Sequence, residues 1–317
     1  MSEDSNKTVK RMLDDQTMAA ALGGRRTARE SFEADENSTS HSATVNLFQA
    51  WGYFGLALAI TLAMALVWYR QMSYWTMITV ILTAILSFLI LAVLTEVRTG
   101  KPRLIYYRYL LAAVGSVAAL LFSLDSPLLP YLDVTMLGIG LFVVCGRIGC
   151  LMVGCCHGRP HGWGVTYSKE SAAADFPEHL VRVRLFPVQA VESFWVLAIV
   201  LTGVVQVIGG QPSGSALSSY VVAYGLGRFC FEFLRGDEGR RYFRGISEAQ
   251  WTSLSMTSAV VIAEWYGALP PSSWHLLAVA CLIFAILLIN VTHAGSDSSD
   301  SSIAKIELCG RLEIGTR

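Results

Sequence analysis

Long apolar runs alternate with short polar segments along most of the chain. A helix that crosses a bilayer needs about 20 mostly apolar residues. Runs near that length occupy 47–68, 75–95, 104–124, 134–156, 187–208, 218–235, 250–267 and 274–292. Arg108 and Arg228 interrupt the third and sixth runs. The pattern therefore predicts an all-α integral membrane protein with seven or eight transmembrane helices.

The composition agrees with a membrane location. Hydrophobic residues make up 53% of the chain and charged residues only 15%, whereas soluble domains are about 25% charged. The short connecting loops supply too little polar surface to cover a large soluble core. We therefore expect one polytopic membrane domain at 47–293 and no nucleic-acid partner.

Both ends of the chain differ from this domain. Residues 1–46 are rich in Ser, Thr, Asp, Glu and Lys, with neither apolar periodicity nor a signal-peptide pattern. They are predicted to form a disordered cytosolic extension. Residues 294–317, which include "GSDSSDSS", are predicted to form a short polar tail.

Basic residues suggest an orientation for the membrane domain. If the helices alternate, one side receives the N-terminal segment, the loops 96–108, 157–186 and 235–249, and the tail. Nearly all Lys and Arg residues outside the apolar runs lie there, and the other side receives only Arg70. The positive-inside rule predicts that this side, with both termini, is cytosolic. Arginines that bind a ligand are not topology signals, however, and several of these are candidates for that role.

Arg108 and Arg235 lie at the loop ends of their runs, and two further arginines, Arg147 and Arg228, remain inside the apolar runs. An ionisable residue at that depth is costly and points to a functional site. In "YGLGRFCFEFLRGDEGR", the residues Tyr224, Arg228, Glu232 and Arg235 are spaced to fall along one stripe of a helix. The alternative is a structural ion pair between Arg228 and Glu232 that holds two helices together.

A second polar pair opens the fifth run, in "LFPVQAVESFW". Pro187 suits the start of a helix. Gln189 and Glu192 then lie three residues apart, on one face near the membrane surface. Beside the helices that carry arginines, they are plausible partners for the same site.

The stretch "CGRIGCLMVGCCHGRP", residues 145–160, allows three interpretations. Metal binding would use Cys150, Cys155, Cys156 and His157, but zinc sites usually repeat closely spaced pairs, and no second pair follows. A redox dithiol would use Cys155 with Cys156 or with Cys150. The favoured interpretation is a phosphate-holding segment with small, buried cysteines as fillers; it uses Gly146, Arg147, Gly149, Gly154, Gly158 and Arg159. Under it, Cys155 remains a candidate thiolate held by two guanidiniums.

Four blocks of sequence carry a resemblance to a known family. "GRIGCLMVGCCHGRP…WGVTY", "FPVQAVE", "YGLGRFCFEFLRGD" and "SEAQWTSL" resemble, in this order, the landmarks of the prolipoprotein diacylglyceryl transferases, over roughly residues 140–256. Members of that family are seven-helix inner-membrane enzymes. They move the diacylglyceryl group of phosphatidylglycerol onto a lipobox cysteine thiol, forming a thioether and releasing glycerol phosphate.

The resemblance implies a function, partners and a set of site residues. The chain is expected to be a transferase of the bacterial inner membrane, with phosphatidylglycerol as donor, a prolipoprotein as acceptor, and neither cofactor nor metal. The matched motifs imply catalytic roles for Arg147, Tyr224, Arg228 and Glu232. They imply substrate binding by Gly158, Arg159, Gln189, Glu192 and Arg235, with Cys155 and His157 as possible additions.

The chain also departs from the family pattern. Cys150 stands where the family signature has asparagine, and Cys155 where a glutamate is expected. The catalytic His-Gly-Gly element is absent from the third run, which reads "KPRLIYYRYLL"; His157, Tyr106 or Tyr107 are candidate substitutes. The family's site faces the outer leaflet, whereas the basic residues here predict the cytosol. The alternative function is a non-catalytic, thiol-redox or metal-sensing membrane protein that keeps the lipid-binding fold.

Overall fold

The computed structural model describes residues 47–99, 106–169, 172, 176–237 and 242–291. The predicted N-terminal extension and the predicted tail lie outside these residues. The described part is mainly helical, as predicted. Its helices are α1 Leu47–Tyr69, α2 Tyr74–Thr99, α3 Tyr106–Ser123, α4 Leu128–Val153, α5 Val188–Ile208, α6 Ser215–Phe231, α7 Glu248–Trp265 and α8 Ser273–Val291.

Each of the eight predicted runs overlaps one of these helices, but several boundaries were wrong, and α2 ends at Thr99 rather than at 95. Helix α4 begins at Leu128 rather than at 134, directly after Pro127, a residue that can precede a helix. The prediction started too late because the polar Asp133 interrupts the apolar pattern. Helix α6 ends at Phe231 rather than at 235. Arg108 lies in the first turn of α3, where its half-exposed side chain pairs with Glu248 at 3.7 Å.

Five helices, α1, α2, α4, α5 and α8, are long and apolar enough to cross a membrane. Their outer faces carry large exposed apolar side chains, such as Leu86 on α2 and Phe284 on α8. Trp75, Trp265 and Tyr266 are exposed near the α1–α2 and α7–α8 turns, where aromatic side chains suit the membrane–water interface. The fold is therefore that of an all-α, multi-pass membrane protein.

Helix α4 lies at the centre of the bundle and packs against α5 and α6. Glycines allow this close packing. A Cβ at Gly140 would lie 2.5 Å from the ring of Tyr220, and one at Gly203 would lie 2.4 Å from Leu137. Small residues at such contacts let membrane helices approach closely, and here they bring three helices together around one polar site.

Short β structure, which was not predicted, connects two loops on one side of the bundle. The strands are β1 Pro160–Val165, β2 Tyr242–Phe243 and β3 Ile246–Ser247, of which β2 and β3 pair antiparallel. Isolated bridges join Leu185 to both ends of β1 and Gly158 to Arg235. The α4–α5 connection is thereby fixed against the α6–α7 connection.

On the opposite side of the bundle, Asp133 holds the start of α6. Its two carboxylate oxygens accept hydrogen bonds from the backbone N–H groups of Gly214 and Leu217, each at 2.7 Å. Asp133 is buried, at 5% exposure. A carboxylate at a helix N-terminus satisfies amides that have no partner within the helix. Asp133 therefore sets the position of α6 against α4.

We predict that Asp133→Ala lowers the stability of the folded protein by about 2 kcal/mol, because two buried amides lose a charged acceptor. The loss is measured as a lower melting temperature in detergent. Ser123→Ala is the control, because its hydroxyl lies at an exposed helix end and donates to Leu120 within the same helix. Equal melting temperatures for wild type and Asp133→Ala would contradict this role.

Candidate functional site

A buried carboxylate, Glu192, joins the three central helices. Its Oε1 lies 2.9 Å from Nη2 of Arg147 on α4. The same oxygen accepts a hydrogen bond of 3.4 Å from the hydroxyl of Tyr224 on α6. The side chain of Glu192 is 2% exposed and that of Arg147 is 12% exposed. Glu192 of α5 thus connects two candidate site residues, Arg147 of α4 and Tyr224 of α6.

Arg228 and Glu232 form the second ion pair of the site. Nη1 of Arg228 lies 2.9 Å from Oε2 of Glu232, and both side chains are largely buried. Arg228 is in the last turn of α6 and Glu232 directly follows Phe231, the last helical residue. The pair itself is therefore local to the end of α6. Arg228 also interacts electrostatically with Tyr224, the residue whose hydroxyl donates to Glu192.

Arg235 does not continue the predicted helical stripe, because α6 has ended four residues earlier. Its guanidinium instead forms a forked pair with Asp237, with Nε–Oδ1 at 2.8 Å and Nη2–Oδ2 at 2.7 Å. Burial lowers the pKa of Arg235, but the hydrogen bonds to Asp237 and the nearby thiol of Cys156 raise it by more. Arg235 therefore remains charged. Sequence reasoning missed Asp237, although it follows Arg235 closely in "RGD".

The loop that carries Gly158 and Arg159 lies directly against Arg235. The N–H of Arg159 donates to the carbonyl of Leu234 at 3.0 Å, and its Nε donates to the carbonyl of Arg235 at 3.2 Å. A Cβ at Gly158 would lie 2.3 Å from the carbonyl oxygen of Phe186, so only glycine fits. The structure thus joins the Gly158–Arg159 loop to the segment of Arg235, and these three residues form a loop clamp.

His157, a candidate replacement for the family histidine, makes polar contacts with the backbone of these loops. Its Nδ1 lies 3.0 Å from the carbonyl of Gly158, and its own carbonyl accepts from Gly236. The ring is buried at 4% exposure and meets Phe176 edge-on. These contacts favour a structural role. The side chains of Tyr106 and Tyr107 lie outside the described residues.

Gln189 connects α5 to the cysteine-rich turn that follows α4. Pro187 precedes α5, as predicted. The Nε2 of Gln189 donates to the carbonyl of Cys155 at 2.9 Å. Its Oε1 is buried without a hydrogen-bond partner among the described residues. This oxygen can accept a hydrogen bond from a bound hydroxyl group.

Three cysteines cluster at the end of α4. The Sγ atoms of Cys150, Cys155 and Cys156 all lie within 4.8 Å of one another. Hydrogen bonds from the other two thiols, with Arg235 and Arg147 nearby, lower the pKa of Cys156. Hydrogen bonding to Cys150 and Cys156, together with burial, raises that of Cys155. The thiolate is therefore favoured at Cys156 and not at Cys155, which was one candidate for it.

These features define a class of protein: a polytopic membrane protein with paired arginines and carboxylates buried between its helices. A family model described as prolipoprotein diacylglyceryl transferase matches residues 110–266. The match covers just under half of the chain, and over these residues the chain is similar to the prolipoprotein diacylglyceryl transferase family, as the sequence motifs indicated. All the site residues named above lie within the match.

Individual relatives agree. The chain is similar to a phosphatidylglycerol–prolipoprotein diacylglyceryl transferase of Clostridium tetani, with 32% identity over 40% of this chain and 49% of the relative. It is similar to the second such enzyme of Clostridium perfringens, with 31% identity over 51% of this chain and 66% of the relative. One from Dehalococcoides mccartyi is 30% identical over 41% of this chain and 48% of the relative. The matches thus span from about half to just under two thirds of these relatives. No solved structure matches the chain.

Proposed function

We propose that this protein transfers the diacylglyceryl group of phosphatidylglycerol to the lipobox cysteine of a prolipoprotein, or performs a closely related phospholipid-dependent transfer. The observation that carries the proposal is the pair of buried arginines, Arg147 and Arg228, held by carboxylates between membrane helices. The names of the similar proteins support the same reaction. We further propose that the bacterial inner membrane is its location.

The donor lipid fits the charge and position of the site. A phosphate group carries negative charge and several acceptor oxygens, and arginine offers a forked set of donors that matches it. Arg147 lies within the last two turns of α4 and Arg228 in the last turn of α6. The free Oε1 of Gln189 suits a glycerol hydroxyl. We infer that the phosphate binds between the two arginines.

The same groups account for the chemical step. The acceptor sulfur attacks the glyceryl carbon, the bond from that carbon to the phosphate oxygen breaks, and glycerol phosphate leaves with the electron pair. Guanidiniums fixed in a water-poor site stabilise the charge that develops on this leaving group. The acceptor thiol must first lose its proton, because the thiolate is the nucleophile.

The second candidate function is that of a thiol-redox or metal-sensing membrane protein that kept the fold and lost the transfer reaction. Two observations favour it. The family histidine is absent, and three cysteine thiols lie together beside the arginines. The paired buried charges favour the transferase, because their desolvation is costly in a protein that binds no anion.

We predict that Arg228→Ala lowers the rate of transfer from labelled phosphatidylglycerol to a lipobox peptide by about 100-fold or more, the loss typical when one transition-state donor is removed. Arg228→Lys keeps the positive charge but not the forked geometry, and recovers activity only in part. The assay uses the full chain reconstituted in vesicles, with label on the peptide cysteine as the readout.

The matched control is Arg244→Ala, since Arg244 is exposed and stacks on Phe243 outside the site. Arg228→Ala leaves Glu232 without this ion pair. The melting temperatures of Arg228→Ala and of Arg228→Ala/Glu232→Ala in detergent therefore separate misfolding from lost chemistry. Full activity in Arg228→Ala would exclude this helix from the transferase site.

We predict that the α4–α5 connection lies on the same side of the membrane as the N-terminus, because we infer that each of the helices α1 to α4 spans the membrane. A membrane-impermeant thiol reagent should modify Ser2→Cys and His161→Cys alike in intact cells. The parent chain is the control for its native cysteines. Modification of only one of the two would contradict the eight-helix topology.

The compartment then decides the acceptor. If the reagent labels both positions from outside the cell, lipoprotein modification at the outer leaflet is supported. The basic residues of these loops would then serve ligand binding and not orientation. Protection of both positions supports the cytosolic location predicted by the basic residues, and a related phospholipid-dependent transfer in that compartment.

A further inference from the structure

The three clustered cysteines, Cys150, Cys155 and Cys156, have no role in the phosphate-binding part of the site. Their Sγ atoms all lie within 4.8 Å of one another. In the described part of the chain, all six cysteines are free thiols. Each of the three is partly buried, and each offers one sulfur to the same small volume. The other three, Cys145, Cys230 and Cys281, do not belong to this group.

Backbone geometry that is unfavourable for ordinary residues produces this cluster. Helix α4 stops at Gly154, whose φ of +76° lies in the left-handed region. Cys156 also has a positive φ, of +54°, a conformation that a residue with a Cβ adopts only at a cost. These two residues turn the chain back so that the thiols of Cys155 and Cys156 meet that of Cys150. Gln189 fixes the turn through the carbonyl of Cys155.

We propose that Cys150, Cys155 and Cys156 form a trigonal thiolate site for one thiophilic cation of the Zn²⁺ class. Thiolate ligands select such soft or borderline ions. A Zn–S bond of about 2.3 Å implies S–S distances of about 3.8 Å in tetrahedral geometry. The three sulfurs need to approach by only about 1 Å to reach this arrangement.

Two guanidiniums lie near the site, and each of them also pairs with a carboxylate. Three thiolates and one divalent cation carry a net charge of −1, and Arg147 and Arg235 both act electrostatically on Cys156. Three protein ligands also leave the fourth tetrahedral position open, as in catalytic zinc sites. The sequence pattern disfavoured a metal site because zinc ligands usually come in two separated pairs, whereas these three ligands lie close together in one segment.

The open position gives the metal a role that rests on the proposed transferase function. An acceptor cysteine that binds there as fourth ligand releases its thiol proton to solvent, because a metal-bound thiol is deprotonated. The bound thiolate then forms the S–C bond while the C–O bond to the phosphate breaks. Zn²⁺ would thus supply the deprotonation of the thiol in a chain that lacks the catalytic histidine of the family.

The test measures metal binding apart from transfer. The full chain, with Cys309→Ser to remove the cysteine of the tail, is purified with a phosphine reductant and titrated with Cd²⁺ as a spectroscopic probe for Zn²⁺. We expect about one bound ion per chain, with thiolate-to-metal charge-transfer absorption. Cys150→Ser, Cys155→Ser and Cys156→Ser should each weaken binding by more than the roughly 100-fold typical for loss of an outer-shell partner.

Cys145→Ser and Cys230→Ser are the matched controls and should bind as the parent does. Equal binding by the three cluster variants, or none by the parent, would overturn the site. A lipobox peptide should alter the charge-transfer band, whereas the same peptide with Ser in place of Cys should not. If the metal binds but the peptide does not alter the band, the metal site stands and its role in binding the acceptor thiol is rejected. Transfer that persists after full chelation rejects the same role.

Discussion

The ion pair between Arg147 and Glu192 is the constraint on which the rest of the structure depends. A guanidinium inside a membrane helix is unfavourable unless a partner of opposite charge compensates it. Glu192 provides that partner from the neighbouring helix at 2.9 Å and is shared with Tyr224 of α6. The pair therefore fixes how α4, α5 and α6 face one another. Glycines at their contacts make the short distance possible.

A buried ion pair of this kind contributes little net stability, because desolvation offsets most of the attraction. Under the proposed function, the pair places a guanidinium where the anionic phosphate of the donor lipid would bind. The loop clamp of Gly158, Arg159 and Arg235 closes the same end of the bundle through backbone hydrogen bonds. Helices and loops therefore present positive charge to one place at the end of the bundle.

Much of this could be predicted from the sequence, for physical reasons. Apolar runs of bilayer length located the eight helices, and the cost of burying Arg147 and Arg228 marked them as site residues. The spacing of Tyr224 and Arg228 placed both on one helix. The position of Arg235 could not be predicted, because helical spacing gives no sign that α6 ends at Phe231.

The remaining features depend on tertiary structure. The forked pair of Arg235 with Asp237 and the grouping of three thiols both require loop geometry, including the positive φ of Cys156. Asp133 was overlooked for a related reason, since its partners are backbone amides 81 and 84 residues away. Short polar loops carry no periodicity from which such contacts could be inferred.

The most direct test of the account is the lipid preference of a variant without the central pair. Arg147→Gln/Glu192→Gln removes both charges together, so neither is left buried and unpaired. In detergent binding assays, the wild-type chain should bind phosphatidylglycerol at least about 10-fold more tightly than phosphatidylcholine, a difference of about 1.4 kcal/mol. The folded double variant should lose this preference, while Arg244→Gln should keep it. An unchanged preference in the double variant would contradict the claim that Arg147 is part of the anion-binding site.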